Sequence, residues 1–205
     1  MSNKIPSWLY RKPRVLNVFH ALGLSEPHSQ MTREEANRLS KYAKNRMIAL
    51  EIGTYMGVSA TTIAKALSDN GRLFCIDPFE EINGQKSPCY IMALRQLKRN
   101  GVFEKVSFLL GYSNDQKIIQ KIPKNLDFVF IDGDHSFDGL RNDWQIVLNN
   151  LVIGGVVCLH DTTIPAREQY RNFGSVQFFN EVILFDKRFE ILETTYSMNV
   201  LKRIA

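Results

Sequence analysis

Five positions carry most of the chemistry a ligand site could use: Glu51, Asp77, Asp132, His160 and Asp161. Glu51 closes an apolar run and is followed by a turn with glycines at Gly53 and Gly57, reading Glu-Ile-Gly-Thr-Tyr-Met-Gly-Val-Ser through Ser59. Glycines let backbone approach a ligand where a side chain would block it. A helix opening near Ser59 would present free N–H groups that favour an anion such as a carboxylate. Asp77 ends the next apolar run, where a carboxylate can take two hydrogen bonds from a ribose diol. Acid, glycine turn and second acid describe a site for a nucleoside-bearing cofactor. A dinucleotide fold prefers G-x-G-x-x-G, whereas the pattern here is wider and begins with a carboxylate. That carboxylate would repel a pyrophosphate and attract the ammonium of a methionine moiety. S-adenosylmethionine (SAM) is therefore expected over NAD, with Tyr55 inside the same turn.

A second constellation follows later in the chain. One apolar run ends in Asp132-Gly-Asp134-His135 and the next in His160-Asp161-Thr162. In open α/β sheets ligands sit beyond the carboxyl ends of the strands, so these residues should share a site. Asp132, His160 and Asp161 are the expected ligands of one divalent cation, Mg²⁺ by the carboxylates, with histidine widening the choice. The metal would lower the pKa of a substrate hydroxyl and align its oxygen. A hydrogen-bonding His160 beside a metal-free pocket is the alternative. His135, with an ordinary pKa of ~6.5, is the candidate general base, or else a residue that orients a carboxylate or caps a helix. Asp134 and Asp138 are expected to cap the helix that follows or to favour its N-terminal dipole. Ser113 and Asn114 could edge an adenine; Ser113 could equally be an N-cap. The loops 78–88 and 162–174, the latter with Arg167, Tyr170 and Arg171, are the expected substrate walls. Trp144 and Phe137 fall on helical spacing and read as core.

The elements that must position these residues alternate. Strands are expected at 47–51, 72–77, 106–110, 127–132 and 153–160, with helices at 59–68, 90–100, 113–121 and 137–148 between them. This alternation implies a parallel sheet with helices on both faces. A helix over 175–185 then leads to two strand-like runs, 189–194 and 197–203, close enough to pair as an antiparallel hairpin. Upstream, 14–22 could form a short helix. Thr32 and Glu35 have capping-box spacing for a second helix to about Lys44. Residues 1–45 read as a helical cap that covers the pocket or builds a dimer contact, and 46–205 as the cofactor domain.

Bulk properties agree with one α/β domain. The 205 residues are 44% hydrophobic and 23% charged, with a net charge of +5. Basic residues are spread along the chain, so no nucleic-acid partner is expected, and no apolar run is long enough to span a bilayer. Residues 1–8 lack the apolar stretch of a signal peptide, which makes a cytoplasmic protein the expectation. Cys75 and Cys158 read as small buried hydrophobes; with Cys89 the count is odd, against a disulfide framework.

Together these motifs resemble the class I SAM-dependent methyltransferases. The resemblance is to the small bacterial O-methyltransferase branch related to cephalosporin-biosynthesis and macrolide-sugar enzymes, and more distantly to catechol O-methyltransferases. It covers about 45–203 and is carried by 50–59, 130–136 and 154–161. It implies a Rossmann-like, mostly parallel seven-stranded sheet and transfer of a methyl group to a small-molecule hydroxyl. Glu51 and the 53–59 turn would hold the methionine part, Asp77 the ribose, and Ser113 and Asn114 the adenine. Asp132 and Asp161 would match metal-bound carboxylates. His160 stands where related enzymes often have a second acidic ligand. Catechol enzymes have Asp-Asn where this chain has Asp161-Thr162, and a lysine where His135 falls, so a sugar or natural-product hydroxyl is the expected acceptor. The rivals are an NAD-linked oxidoreductase and a non-catalytic cofactor-binding subunit.

Overall fold

Apolar strand runs separated by amphipathic segments can bury themselves only by stacking between helix layers. A computed structural model describes residues 12–24, 27–81, 84–163 and 173–205 of the chain. The elements run α1 (Pro13–Ala21), α2 (Arg33–Ala43), β1 (Ile48–Ile52), α3 (Val58–Ala66), β2 (Arg72–Asp77), α4 (Pro88–Arg99) and β3 (Val106–Leu110). They continue with α5 (Gln116–Ile119), β4 (Leu126–Ile131), α6 (Phe137–Asn150), β5 (Leu151–Leu159), α7 (Gly174–Glu181), β6 (Phe189–Thr195) and β7 (Met198–Arg203).

The seven strands form one sheet in the order β3-β2-β1-β4-β5-β7-β6. Pairs among β1 to β5 are parallel, while β7 runs antiparallel to both β5 and β6. The chain order reverses between β1 and β4, which opens a crevice beyond their carboxyl ends. Glu51, Asp77, Asp132 and His160 all sit at or just past strand ends.

Each sheet face carries its own core. On one, Trp144, Leu140 and Val147 of α6 and Phe178 and Phe179 of α7 pack on Leu50, Val129 and Val157. On the other, Leu39 and Ala43 of α2 and Ile63 and Ala64 of α3 pack on Leu73, Phe128 and Cys158. Leu16 of α1 sits in a separate small cluster with Met56 and Met92. Trp144 is core, and Phe137 packs on it half-buried. Cys75, Cys89 and Cys158 are free thiols, the first and last fully buried. No helix among the described residues is long and apolar enough to cross a membrane.

Several boundaries differ from expectation by a few residues. The helix expected at 113–121 is only α5, because Asp115 takes the N-cap by accepting from Lys117 N at 2.8 Å. The helix expected to 185 ends at Glu181 and continues as a tighter turn over Ile183–Phe185. The fifth strand starts at Leu151. Ser136, not Asp134 or Asp138, caps α6: its Oγ accepts from Gly139 N and donates to Asp134 Oδ2 at 2.7 Å. Asp134 thus supports the cap instead of forming it.

Candidate functional site

The glycine turn is fixed from two sides. Gly53 has φ +88°, and a Cβ there would run into the carbonyl oxygen of Asp132, so the ends of β1 and β4 can approach only across a glycine. Gly57 is the N-cap of α3 at φ +78°, and a Cβ would lie 2.9 Å from Ala93 Cα of α4. From the other side, Asp77 Oδ2 accepts from the backbone N–H groups of Thr54 and Tyr55, each at 2.9 Å, and Oδ1 from Phe79 N at 2.8 Å. Part of the Asp77 carboxylate therefore holds the turn in shape. No side chain caps α3, leaving its first amides open to a ligand anion.

A cleft of about 390 Å³ opens beside this turn. Gly53, Tyr55, Ser59, Asp77, Ser113, Asp132 and His135 line it, and His28 to Met31 form a further wall from the N-terminal segment. His28 N contacts Met56 Sδ at 3.4 Å, and its ring meets Tyr55 edge-on. Of the expected cofactor residues, Gly57 lies behind the wall and Asn114 is exposed outside it. Ser113 is not an N-cap; its Oγ donates to Asp143 Oδ1 at 2.5 Å. Burial pushes Asp143 up to about 7, with the Ser113 hydrogen bond opposing and Asp134 adding to the rise. Of the loop at 78–88, Pro78 reaches the cleft, while Phe79 turns inward against Tyr90 and Phe108. Arg167, Tyr170 and Arg171 lie outside the described residues.

Glu51 is not in the wall. Its side chain is 0% exposed beneath the turn. Burial pushes its carboxyl up to about 7, and Ser59, Thr54 and Cys75 offset only part of that. Cys75 Sγ lies 3.4 Å from Oε2, while Oε1 has no hydrogen-bond partner of normal geometry among the described residues. A buried acceptor without a donor is costly, which fits a group awaiting a cationic or donor ligand.

The second constellation gathers beside the cleft, which Asp132 and His135 line. The donor atoms that converge are those of Asp132, His135 and Asp161, all within 4.8 Å of one another. His135 Nε2 is 3.6 Å from Asp161 Oδ2, and its ring stacks parallel on Phe173. His160, expected as the third ligand, lies deeper. Its Nδ1 is 3.1 Å from Asp132 Oδ1 and 3.5 Å from Asp161 Oδ2, and its Nε2 is 3.6 Å from Glu35 Oε2. Burial works against a charged ring, but these three carboxylates outweigh it and raise the pKa of His160 well above the ordinary value. His160 Nδ1 thus faces the same two carboxylates that converge with His135. The donor set of two carboxylates and one imidazole suits a divalent cation.

Glu35 is the residue that sequence reasoning missed. The capping box at Thr32 is present, with Glu35 N donating to Thr32 Oγ1 at 3.2 Å and Thr32 N to Glu35 Oε2 at 2.8 Å. The same carboxylate is 1% exposed and reaches His160 and Ser197, a second role that capping-box spacing does not signal.

The strand order, terminal antiparallel hairpin and turn-lined cleft define a Rossmann-like, cofactor-binding transferase fold. A family described as a methyltransferase domain matches residues 50–162. Caffeoyl-CoA O-methyltransferase of Pinus taeda is 30% identical over 88% of this chain and 74% of its own. The enzyme of the same name from Mesembryanthemum crystallinum is 28% identical over 89% and 76%. Among solved structures, an O-methyltransferase from Bacillus cereus in complex with SAH superposes with a TM-score of 0.70 at 18% identity, covering 98% of this chain and 93% of that one. TomG from Streptomyces achromogenes, an O-methyltransferase involved in tomaymycin synthesis and solved with SAM, superposes at 0.68 with 19% identity, covering 98% and 92%. The chain belongs to this methyltransferase domain family and is a SAM-dependent O-methyltransferase. That sets aside the NAD-linked and non-catalytic alternatives.

Proposed function

We propose that the cleft binds SAM along the 53–59 turn and presents its methyl group to a hydroxyl of a sugar or natural product, beside a divalent cation held by Asp132, His135 and Asp161. The observation that carries this reading is the convergence of those three side chains, of which Asp132 and His135 line the cleft. The open amides of α3 suit the methionine carboxylate, Asp77 the ribose and Ser113 the adenine edge. Glu51, buried with a free oxygen behind the turn, offers an acceptor towards the methionine ammonium. SAM supplies an electrophilic methyl group, and a cation in this donor set lowers the pKa of the acceptor hydroxyl. The chain's own contribution is to align the two reactants and shield them from water. His135 acts here as a donor in the cluster instead of a free base. The wall formed by His28 to Met31 supports residues 1–45 as a cap on a 46–205 domain. Free thiols at all three cysteines suit a cytoplasmic setting.

The test is methyl transfer from labelled SAM to a panel of hydroxyl acceptors, including sugars, a catechol and caffeoyl-CoA, with Mg²⁺ or Mn²⁺ and with EDTA. Turnover on a panel member should be lost in EDTA and fall about a hundredfold in Asp161→Asn, with SAM affinity retained. EDTA-resistant turnover with Asp161→Asn fully active would contradict the cation site.

A further inference from the structure

A capping-box glutamate ordinarily sits on the surface, its carboxylate shared between the N-cap amide and water. Glu35 is enclosed and over-committed. Oε2 accepts from Thr32 N at 2.8 Å and Thr32 Oγ1 at 3.0 Å. Oε1 accepts from Ser197 N at 3.0 Å and Ser197 Oγ at 2.9 Å, in the turn between β6 and β7. Oε2 also faces His160 Nε2 at 3.6 Å, and Ser197 Oγ stands 3.4 Å from the same nitrogen. The carboxylate accepts four hydrogen bonds, two from Thr32 and two from Ser197. Helix α2, the terminal hairpin and the end of β5 therefore meet at one side chain.

The other nitrogen of the His160 ring turns to the site. While Nε2 faces Glu35, Nδ1 lies 3.1 Å from Asp132 Oδ1 and 3.5 Å from Asp161 Oδ2. One buried ring therefore spans the two carboxylates on one side and a third on the other, so its orientation sets how Asp132 and Asp161 stand towards each other. We propose that Glu35 is a positioning residue for methyl transfer: by fixing the His160 ring it holds Asp132 and Asp161 as a pair beside the cleft. The inference rests on the reading of those carboxylates as part of the site. It assigns a working role to a residue of the N-terminal segment, outside the 50–162 methyltransferase match.

Glu35→Gln isolates the effect. An amide of nearly the same shape has one acceptor oxygen, so it can serve either the Thr32 or the Ser197 backbone N–H but not both, and it carries no charge for His160. Thr32→Ala is the control, since it weakens the α2 cap and leaves the Glu35 carboxylate in place. Binding of Mn²⁺ alone and of SAM alone would be measured on the full chain, with a crystal structure of Glu35→Gln. The expected result is a tenfold or greater loss of Mn²⁺ affinity in Glu35→Gln, SAM affinity within about threefold, Thr32→Ala unchanged in both, and the His160 ring displaced from Asp132. Unchanged Mn²⁺ affinity, or a ring still seated against Asp132, would overturn the proposal. Should the wild-type chain bind no Mn²⁺, the cation reading fails by itself. The crystal structure of Glu35→Gln then decides the positioning role: a displaced ring upholds it and a seated ring overturns it.

Discussion

Glu51 and Asp143 are acids that folding has made reluctant to ionise, both pushed up to about 7 by burial. A carboxyl whose pKa is higher folded than unfolded favours folding while protonated and opposes it once charged. Stability of the ligand-free protein should therefore be greatest, for these groups, below their unfolded pKa near 4.5 and 3.8, decline as pH rises, and level off above about 7. Glu51→Gln removes one of the two contributions. It should gain about 1–3 kcal/mol over the wild type at pH 8 and lose that advantage near pH 4.5, as read by urea unfolding at both values. A wild type that remains the more stable protein at pH 8 would refute this. That Glu51, Asp77, Asp132 and Asp161 fall at or just past strand ends was legible in the sequence, because each follows an apolar run. The approach of His135 Nε2 to 3.6 Å from Asp161 Oδ2 was not. Nor was the contact of His160 with Glu35, a residue on a distant element whose local spacing advertises only a helix cap.

At the scale of elements, the site depends on how closely strand ends meet. Gly53 allows β1 and β4 to abut, with Asp132 N donating to Ile52 O at 2.8 Å on the same seam. Gly53→Ala must push these ends apart or strain a left-handed backbone, so it should cost about 2–4 kcal/mol of stability and weaken SAM binding at least tenfold. Thermal unfolding and calorimetry on the variant check both, and a near-neutral substitution would show that the strand ends are not tightly coupled. The strands and the hairpin were readable because apolar runs bounded by glycine and polar turns leave little choice. Helix ends were less so. At α5, Ser113 and Asp115 are both acceptable caps by type; Asp115 takes the role because Ser113 is drawn to Asp143 on α6.

Over the whole molecule, stretches far apart in the chain converge on one cleft, among them the 53–59 turn, the strand ends at 132–135 and the N-terminal residues His28 to Met31. The first two were expected from a parallel sheet, in which all carboxyl ends share a side. The third depends on Leu39 and Ala43 docking α2 on the sheet and on Leu16 seating α1 against Met56 and Met92, a packing choice that the local sequence leaves open between covering the pocket and a dimer contact. The most direct measurement of the central claim is calorimetric titration of SAM into the full chain, with NAD as the control and Asp77→Ala as the comparison. Micromolar binding of SAM, none of NAD, and loss of binding in Asp77→Ala is the predicted result. No binding of SAM, or binding of NAD in its place, would contradict the account.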